Sequence, residues 1–265
     1  MSLKEKEGAA LGLLREMGSV AVAFSGGADS SLVCSLAYEA LADKAVAVTG
    51  KSPLDPVEDL EGARSIAEEI GIALYEIEIP TLGEERLVSN SPERCYYCKR
   101  LIFKRVAELA EGLGIGTIAD GSTKDDLSDA RPGMKALKES GVRSPLLEAG
   151  ISMEEVRAMS KSRDLPTWDK PSAACLASRV PYGTRITSNL LRKIARAERF
   201  LRANGFSQVR VRAHGHVARI EIEPKEMKRF LEMREAIAKE LKEAGFTYVS
   251  LDIEGFRSGS MNEVL

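Results

Sequence analysis

The chain has 265 residues, 44% of them hydrophobic and 29% charged, with a formal net charge of −2. This length suits one large domain with a smaller partner, and the charge balance gives no electrostatic case for bulk nucleic-acid binding. No apolar run reaches the ~18 residues of a membrane helix, and Met1 to Glu7 lack the apolar core of a signal peptide, so a cytoplasmic protein is expected.

An amphipathic helix near Lys4 to Met17 opens the chain. The apolar run Val20 to Phe24 then feeds Ser25-Gly26-Gly27-Ala28-Asp29-Ser30 and a helical run from Asp29 to Leu41. Strand, glycine turn and helix in this order bring backbone N–H groups and the positive end of a helix dipole to a polyphosphate. The Lys-Ser/Thr of a Walker A loop is missing, as is the G-x-G-x-x-G of a dinucleotide fold. The pattern S-G-G-x-D-S resembles the PP-loop of ATP pyrophosphatases, which hold the β,γ-pyrophosphate of ATP and leave AMP on a substrate oxygen. On that resemblance Ser25, Gly26, Gly27, Asp29 and Ser30 bind the nucleotide. The plainer alternative is an ordinary helix capped by Asp29 or Ser25.

Further apolar segments at Ala45 to Thr49, Ala73 to Ile79, Gly116 to Ala119 and Val142 to Leu147 alternate with helical runs at Pro56 to Ile70, Lys99 to Glu111 and Ser152 to Lys161. The alternation predicts an α/β fold with a parallel sheet. Ligands of such sheets sit beyond the carboxyl ends of the strands. Gly121, Asp125 and Asp126, after the fourth strand, therefore join the nucleotide site, with the paired carboxylates as candidate Mg²⁺ holders and Arg131 as an anion contact. An Asp-rich surface turn is the alternative. Lys51 and Ser52, after the second strand, are weaker candidates for the adenine or ribose.

Arg163 to Thr187, with Pro166, Pro171, Pro181 and Gly183, has no sustained period and reads as a long functional loop leading out of the first domain. A helix at Ser188 to Ala203, strands at Gln208 to His214 and His216 to Glu223 joined at Gly215, a helix from Pro224 and a strand at Thr247 to Ile253 predict a small α+β second domain. The expected division is 1–180 and 181–265.

Four cysteines in a reducing compartment argue for metal binding or catalysis over disulfides. Cys34 reads as core packing. Cys95 and Cys98 form a C-x-x-C, and Cys175 stands in the proline-flanked loop. Three thiolates are one short of a closed tetrahedral site, whereas a [4Fe-4S] cluster held by three would keep one open iron. A redox dithiol, a zinc half-site completed by His214 or His216, and inert thiols are the alternatives.

The PP-loop, Gly121 to Asp126 with Arg131-Pro132-Gly133, Trp168-Asp169-Lys170-Pro171, Cys175-Leu176-Ala177-Ser178-Arg179 and the strand Val209-Arg210-Val211-Arg212 together resemble the LarE family, over roughly residues 15 to 255. The resemblance implies an ATP-dependent sulfur transferase that works on a nickel-pincer nucleotide precursor. There a carboxylate of pyridinium-3,5-biscarboxylic acid mononucleotide is adenylated, with loss of pyrophosphate, and sulfur then displaces AMP. In single-cysteine members the residue matching Cys175 gives up its own sulfur. Cys95 and Cys98 depart from that pattern and match members in which a [4Fe-4S] cluster on three cysteines carries the sulfide. The resemblance makes Asp29 and Cys175 catalytic and Cys95, Cys98 and Cys175 metal ligands, and it places Arg131, Trp168, Arg179, Arg210 and Arg212 against the substrate. A sulfide donor and assembly into a homo-oligomer are implied as well.

Strand alternation puts Arg210, Arg212 and His214 on one face, and Arg219, Glu221 and Glu223 on one face of the next strand. The alternative to substrate binding there is a cross-strand ion-pair ladder. Lys170 and Arg179 bracket Cys175, either to lower its thiol pKa or as solvated charges. Rival functions are a [4Fe-4S]-dependent tRNA thiolase, an ammonia-using NAD or GMP synthetase, and a nucleotide-binding iron–sulfur partner without catalysis.

Overall fold

The structure, a computed structural model, describes residues 1–128, 132–171, 174–257 and 259–263. In chain order the elements are α1 (Leu3–Met17), β1 (Val20–Ala23), α2 (Ala28–Leu41), β2 (Ala45–Lys51), α3 (Val57–Ile70), β3 (Ala73–Glu78), α4 (Glu85–Val88), α5 (Arg94–Gly112), β4 (Ile118–Ala119), α6 (Pro132–Glu139), α7 (Pro145–Glu148), α8 (Met153–Ser162), α9 (Ser188–Ala203), β5 (Val209–His214), β6 (Val217–Ile222), α10 (Met227–Glu232), α11 (Arg234–Glu243) and β7 (Tyr248–Leu251). The chain divides into two compact units: residues 1–81 with 93–173, and residues 82–92 with 174–265. The sequence placed the division after residue 180 and gave no sign of the 82–92 excursion.

The first unit is built on a parallel sheet in the order β3-β2-β1-β4. β1 and β2 are apolar on both faces because both faces are covered. Val20, Val22, Ala45 and Ala47 pack with buried residues of α1, α2, α3 and α8, while Ala21, Val46 and Val48 pack on the other side against Val106 and Ala110 of α5. The chain winds outward from β1 through β2 to β3, then returns to add β4 on the opposite side of β1. The direction of winding therefore reverses between β1 and β4, and a doubly wound sheet opens its ligand crevice at that reversal.

One expected strand is absent. Within Val142 to Leu147, Arg143 forms an isolated parallel bridge to Ala119, and Pro145 then starts α7. Proline has no N–H to give a ladder and has the φ of a first helical residue, so the apolar run turns into a short helix instead of a fifth strand. The structure also starts α5 earlier than the sequence pattern, at Arg94, so Cys95 and Cys98 stand in its first turns.

The second unit has a three-stranded sheet in the order β5-β6-β7, antiparallel between β5 and β6 and parallel between β6 and β7. Gly215, at φ +61°, makes the tight link between β5 and β6. Val209, Val211, Ile220 and Ile222 are buried, as are Leu191, Ile194 and Leu201 of α9. Among the described residues no helix is long and apolar enough to cross a membrane.

Candidate active site

The PP-loop segment lies at the winding reversal of the first unit. Gly27 is the N-cap residue of α2, and no side chain caps the helix there. The alternative of a helix capped by Asp29 or Ser25 is thus not what the chain forms. The hydroxyls stiffen the turn instead: Ser31 Oγ donates to Gly27 O at 2.7 Å, Ser30 Oγ to the same carbonyl at 3.3 Å, and Ser25 N donates to Ser30 Oγ at 3.3 Å. Gly26 sits at φ +69°, with the α3 backbone at Ala63 only 3.2 Å from where a Cβ would stand. A side chain there would be strained and crowded, which is why the turn needs glycine. What results is a rigid turn ahead of a helix N-terminus, the physical requirement for holding an anion.

Gly121, after β4, closes the other side. A Cβ on it would stand 2.8 Å from Ser30 N and 3.0 Å from Asp29 C, so only a glycine lets this loop rest on the first turn of α2. The same loop brings carboxylates. Burial first, then the charges of Asp126 and Asp120, push the Asp29 carboxyl above its ordinary value, with Arg157 acting in the opposite sense. Asp120 is buried and accepts from Ser122 Oγ and Ser144 Oγ, each at 2.6 Å. Asp126 Oδ2 accepts from Thr123 N at 2.9 Å, and Asp125 Oδ2 accepts from Met153 N at the start of α8. Asp29, Asp120 and Asp126 are therefore close enough to interact, whereas Asp125 serves a helix end. Carboxylate oxygens are hard ligands of the kind Mg²⁺ prefers, and a cation beside them would relieve their mutual repulsion.

Arg131 lies outside the described residues. Lys51 pairs with Glu78 at 3.0 Å, and Ser52 Oγ shares a hydrogen bond with Thr81 Oγ1. Trp168 is partly exposed, with Lys161 Nζ 4.6 Å from its ring centre. Cys34 is fully buried, as its reading as core required. Cys95 is exposed and Cys98 partly so, three residues apart on one turn of α5. Cys175 belongs to the other unit. Thiols of this kind are the usual donors of an iron–sulfur cluster. Among the described residues, however, no group of three or more His, Cys, Asp or Glu is arranged to hold a metal ion.

In the second unit, Cys175 directly precedes a 3-10 turn, Leu176–Arg179. Arg179 is 1% exposed. Its Nε and Nη2 donate to Glu198 Oε1 and Oε2 at 2.8 and 2.9 Å, and its Nη1 donates to the carbonyls of Ala174 and Cys175 at 2.5 and 3.0 Å. The sequence assigned Arg179 to the substrate; the structure turns its guanidinium inward to hold the Cys175 turn. Arg212 is likewise buried, donating to Glu221 Oε2 at 2.7 Å and to Ser260 Oγ and Ser178 O. With Arg219 beside Glu221 at 3.2 Å, this is the ion-pair ladder that stood as the alternative.

Arg210 differs. It is half-buried, its Nη1 donates to Val209 O, and its guanidinium lies 5.1 Å from the Phe256 ring centre. Burial, then the charges of Arg179, Arg212 and Arg202, with Glu198 acting in the opposite sense, bring its pKa down to about 10. A guanidinium crowded by like charges is relieved by a bound anion.

Glu198, Arg157 and Asp120 were missed by the sequence reading. Glu198 had a legible signal: it falls on the apolar stripe of α9, between Ile194 and Leu201, where an acid must be paired.

Comparison with known proteins agrees with this geometry. A sequence profile described as NAD synthase matches residues 14–90, the stretch that holds the PP-loop. The pyridinium-3,5-bisthiocarboxylic acid mononucleotide synthase of Lactiplantibacillus plantarum is 37% identical over 265 residues, covering 100% of this chain and 96% of that protein. The chain belongs to the LarE family. It is therefore an ATP-dependent, sulfur-transferring enzyme of the PP-loop superfamily. A Synechocystis protein of uncharacterized function is 42% identical over 94% of each chain. Beyond the LarE family, the tRNA-specific 2-thiouridylase MnmA of Azorhizobium caulinodans is 28% identical over 58% of this chain and 49% of its own.

Proposed function

We propose that this enzyme adenylates the carboxylates of pyridinium-3,5-biscarboxylic acid mononucleotide and converts them to thiocarboxylates, a step in making a nickel-pincer nucleotide. The observation that carries the reading is the rigid, uncapped PP-loop turn beside Asp29 and Asp126, in a chain similar from end to end to the Lactiplantibacillus synthase. A substrate carboxylate oxygen attacks the α-phosphorus of ATP. The bond from that phosphorus to the β-bridging oxygen breaks, and its electron pair leaves on pyrophosphate. A sulfur nucleophile then adds to the acyl carbon and AMP leaves with its oxygen, so no oxidant or reductant is needed.

The residues divide the work. The turn Ser25 to Ser30 orients the β,γ-phosphates, Asp29 and Asp126 are the groups that would hold Mg²⁺, and Arg210 takes the substrate phosphate. Cys95, Cys98 and Cys175 are the thiolates that would hold a [4Fe-4S] cluster, which when bound offers one open iron to an external sulfide. Arg179 keeps Cys175 in place.

Three measurements test this. ATP must yield AMP and pyrophosphate only when the mononucleotide is supplied; ADP and phosphate as products, or turnover with tRNA in place of the mononucleotide, would overturn it. Anaerobic reconstitution should give about four irons per chain, lost in Cys95→Ala, Cys98→Ala and Cys175→Ala. Loss of one H₂S mass from Cys175 after a single iron-independent turnover would show a sacrificial cysteine instead.

A further inference from the structure

A PP-loop lacks the lysine with which Walker A loops hold the terminal phosphates of a nucleotide. The fold supplies a lysine from elsewhere. Lys170 Nζ donates to the carbonyl of Gly26 at 2.9 Å, across 144 residues of sequence. It is half-buried, and a Cβ on Gly62 of α3 would stand 3.8 Å from the same nitrogen, so the ammonium lies between the turn and α3. Among the described residues Lys170 forms no ion pair. One N–H on Gly26 leaves two more ammonium donors uncommitted.

The segment carrying Lys170 is held in place from its backbone. Leu165 and Thr167 are buried, Trp168 N donates to Leu165 O at 3.2 Å and Lys170 N to Thr167 O at 3.1 Å. Arg157 of α8 fixes the turn from outside, donating through Nη1 to Trp168 O and through Nη2 to Lys170 O, each at 3.2 Å. A flexible four-carbon side chain loses entropy when it is half-buried, and one carbonyl bond from a charged group offsets that only modestly. A cation in such a position, beside a turn whose amides already favour anions, is set for a ligand of high negative charge.

We propose that Lys170 is a catalytic residue of the adenylation step, binding the β,γ-pyrophosphate of ATP and stabilising it as it leaves. This rests on the PP-loop reading of the site and names a further residue in it. As the bond from the α-phosphorus breaks, charge builds on the bridging oxygen and over the departing pyrophosphate; the Lys170 ammonium hydrogen-bonds that charge without giving up its proton. Arg157 is a positioning residue, acting through the carbonyls of Trp168 and Lys170.

The test uses the whole chain and inorganic pyrophosphate as probe. Calorimetry measures pyrophosphate and AMP binding to the wild type, Lys170→Met and Lys170→Arg, beside AMP formation and thermal melting. Lys170→Met should weaken pyrophosphate at least about tenfold and lower kcat about 100-fold, with AMP affinity and melting temperature unchanged. Lys170→Arg should recover much of the pyrophosphate affinity. Pyrophosphate affinity and kcat within about threefold of wild type in Lys170→Met would overturn the proposal. So would equal loss of AMP and pyrophosphate binding with a lowered melting temperature, the mark of a lysine that only braces Gly26. A wild type that binds neither nucleotide nor pyrophosphate would overturn the PP-loop reading itself, and the Lys170 assignment with it.

Discussion

Replacing Glu198 by Gln should destabilise the protein by about 3–5 kcal/mol, because it strips the charge from one half of a buried ion pair. The magnitude follows from the contacts. Glu198 is 0% exposed and accepts from Arg179 Nε at 2.8 Å, Arg179 Nη2 at 2.9 Å, Arg202 Nη2 at 2.5 Å and Val211 N at 3.0 Å. Gln keeps one oxygen for Arg179 Nε and Val211 N. Its amide nitrogen then faces Nη2 of Arg179 and of Arg202, donor against donor, and leaves Arg179 buried without a counter-charge. At about 2–4 °C per kcal/mol for a chain of this size, the melting temperature should fall by at least about 6 °C. Burial raises the Glu198 pKa, but the Arg179 hydrogen bonds and charge, Arg202 and the Val211 N–H together carry it below its ordinary 4.5. A depressed carboxylate stabilises the fold above its unfolded pKa and loses that contribution as pH falls through the folded value. The gap between wild type and Glu198→Gln should therefore be full at neutral pH and close only below about pH 4.5. Where the variant remains folded, pyrophosphate formation should persist while sulfur transfer falls, since Arg179 anchors the Cys175 turn. Removing both charges, as Arg179→Met with Glu198→Leu, should cost less than the sum of the single changes. Denaturant titration of wild type, Glu198→Gln, Glu198→Leu, Arg179→Met and the double variant decides. A Glu198→Gln cost under about 1 kcal/mol, or strict additivity in the double variant, would refute the reasoning.

Gly121→Ala would drive a Cβ into the backbone at Ser30 and Asp29; a loss of about 1–3 kcal/mol is expected with a larger fall in AMP formation, and an unchanged ATP KM would count against the close approach. Arg210→Ala should raise the KM for the mononucleotide at unchanged stability, whereas Arg212→Ala, which takes one of its two arginine partners from buried Glu221, should lower the melting temperature; steady-state kinetics beside calorimetry separate the two. Cys34 is fully buried and its thiol pKa is pushed up by that burial, so iodoacetamide at pH 8 should label exposed Cys95 and spare Cys34 until the protein unfolds. Labelling of Cys34 in the native protein, read by peptide mass spectrometry, would contradict that placement.

Much of this enzyme was legible in its sequence. The run from Val20 through Gly26 and Gly27 to Leu41 announces a strand, an anion-binding turn and a helix, because hydrophobic period and glycine placement act over a few residues. The alternation of apolar segments likewise determined the parallel sheet, and Gly215 the tight link between β5 and β6. Cys34, in an apolar helical run, was legible as core. Tertiary structure decided which charges meet. Arg179 and Arg212 look alike on the page as ligands, yet each finds a buried acid, Glu198 and Glu221, once helix and strand registers are set. Arg210, two residues from Arg212, is left among like charges by the same strand. Val142 to Leu147 had the composition of a strand, but Pro145 broke the ladder and a short helix took its place. Lys170 reaches Gly26 only because α8 and the turn after it lay the chain back across the nucleotide turn. Local pattern determines which elements form and which faces are apolar; the partner of a long charged side chain depends on chain crossings that no short window of sequence contains.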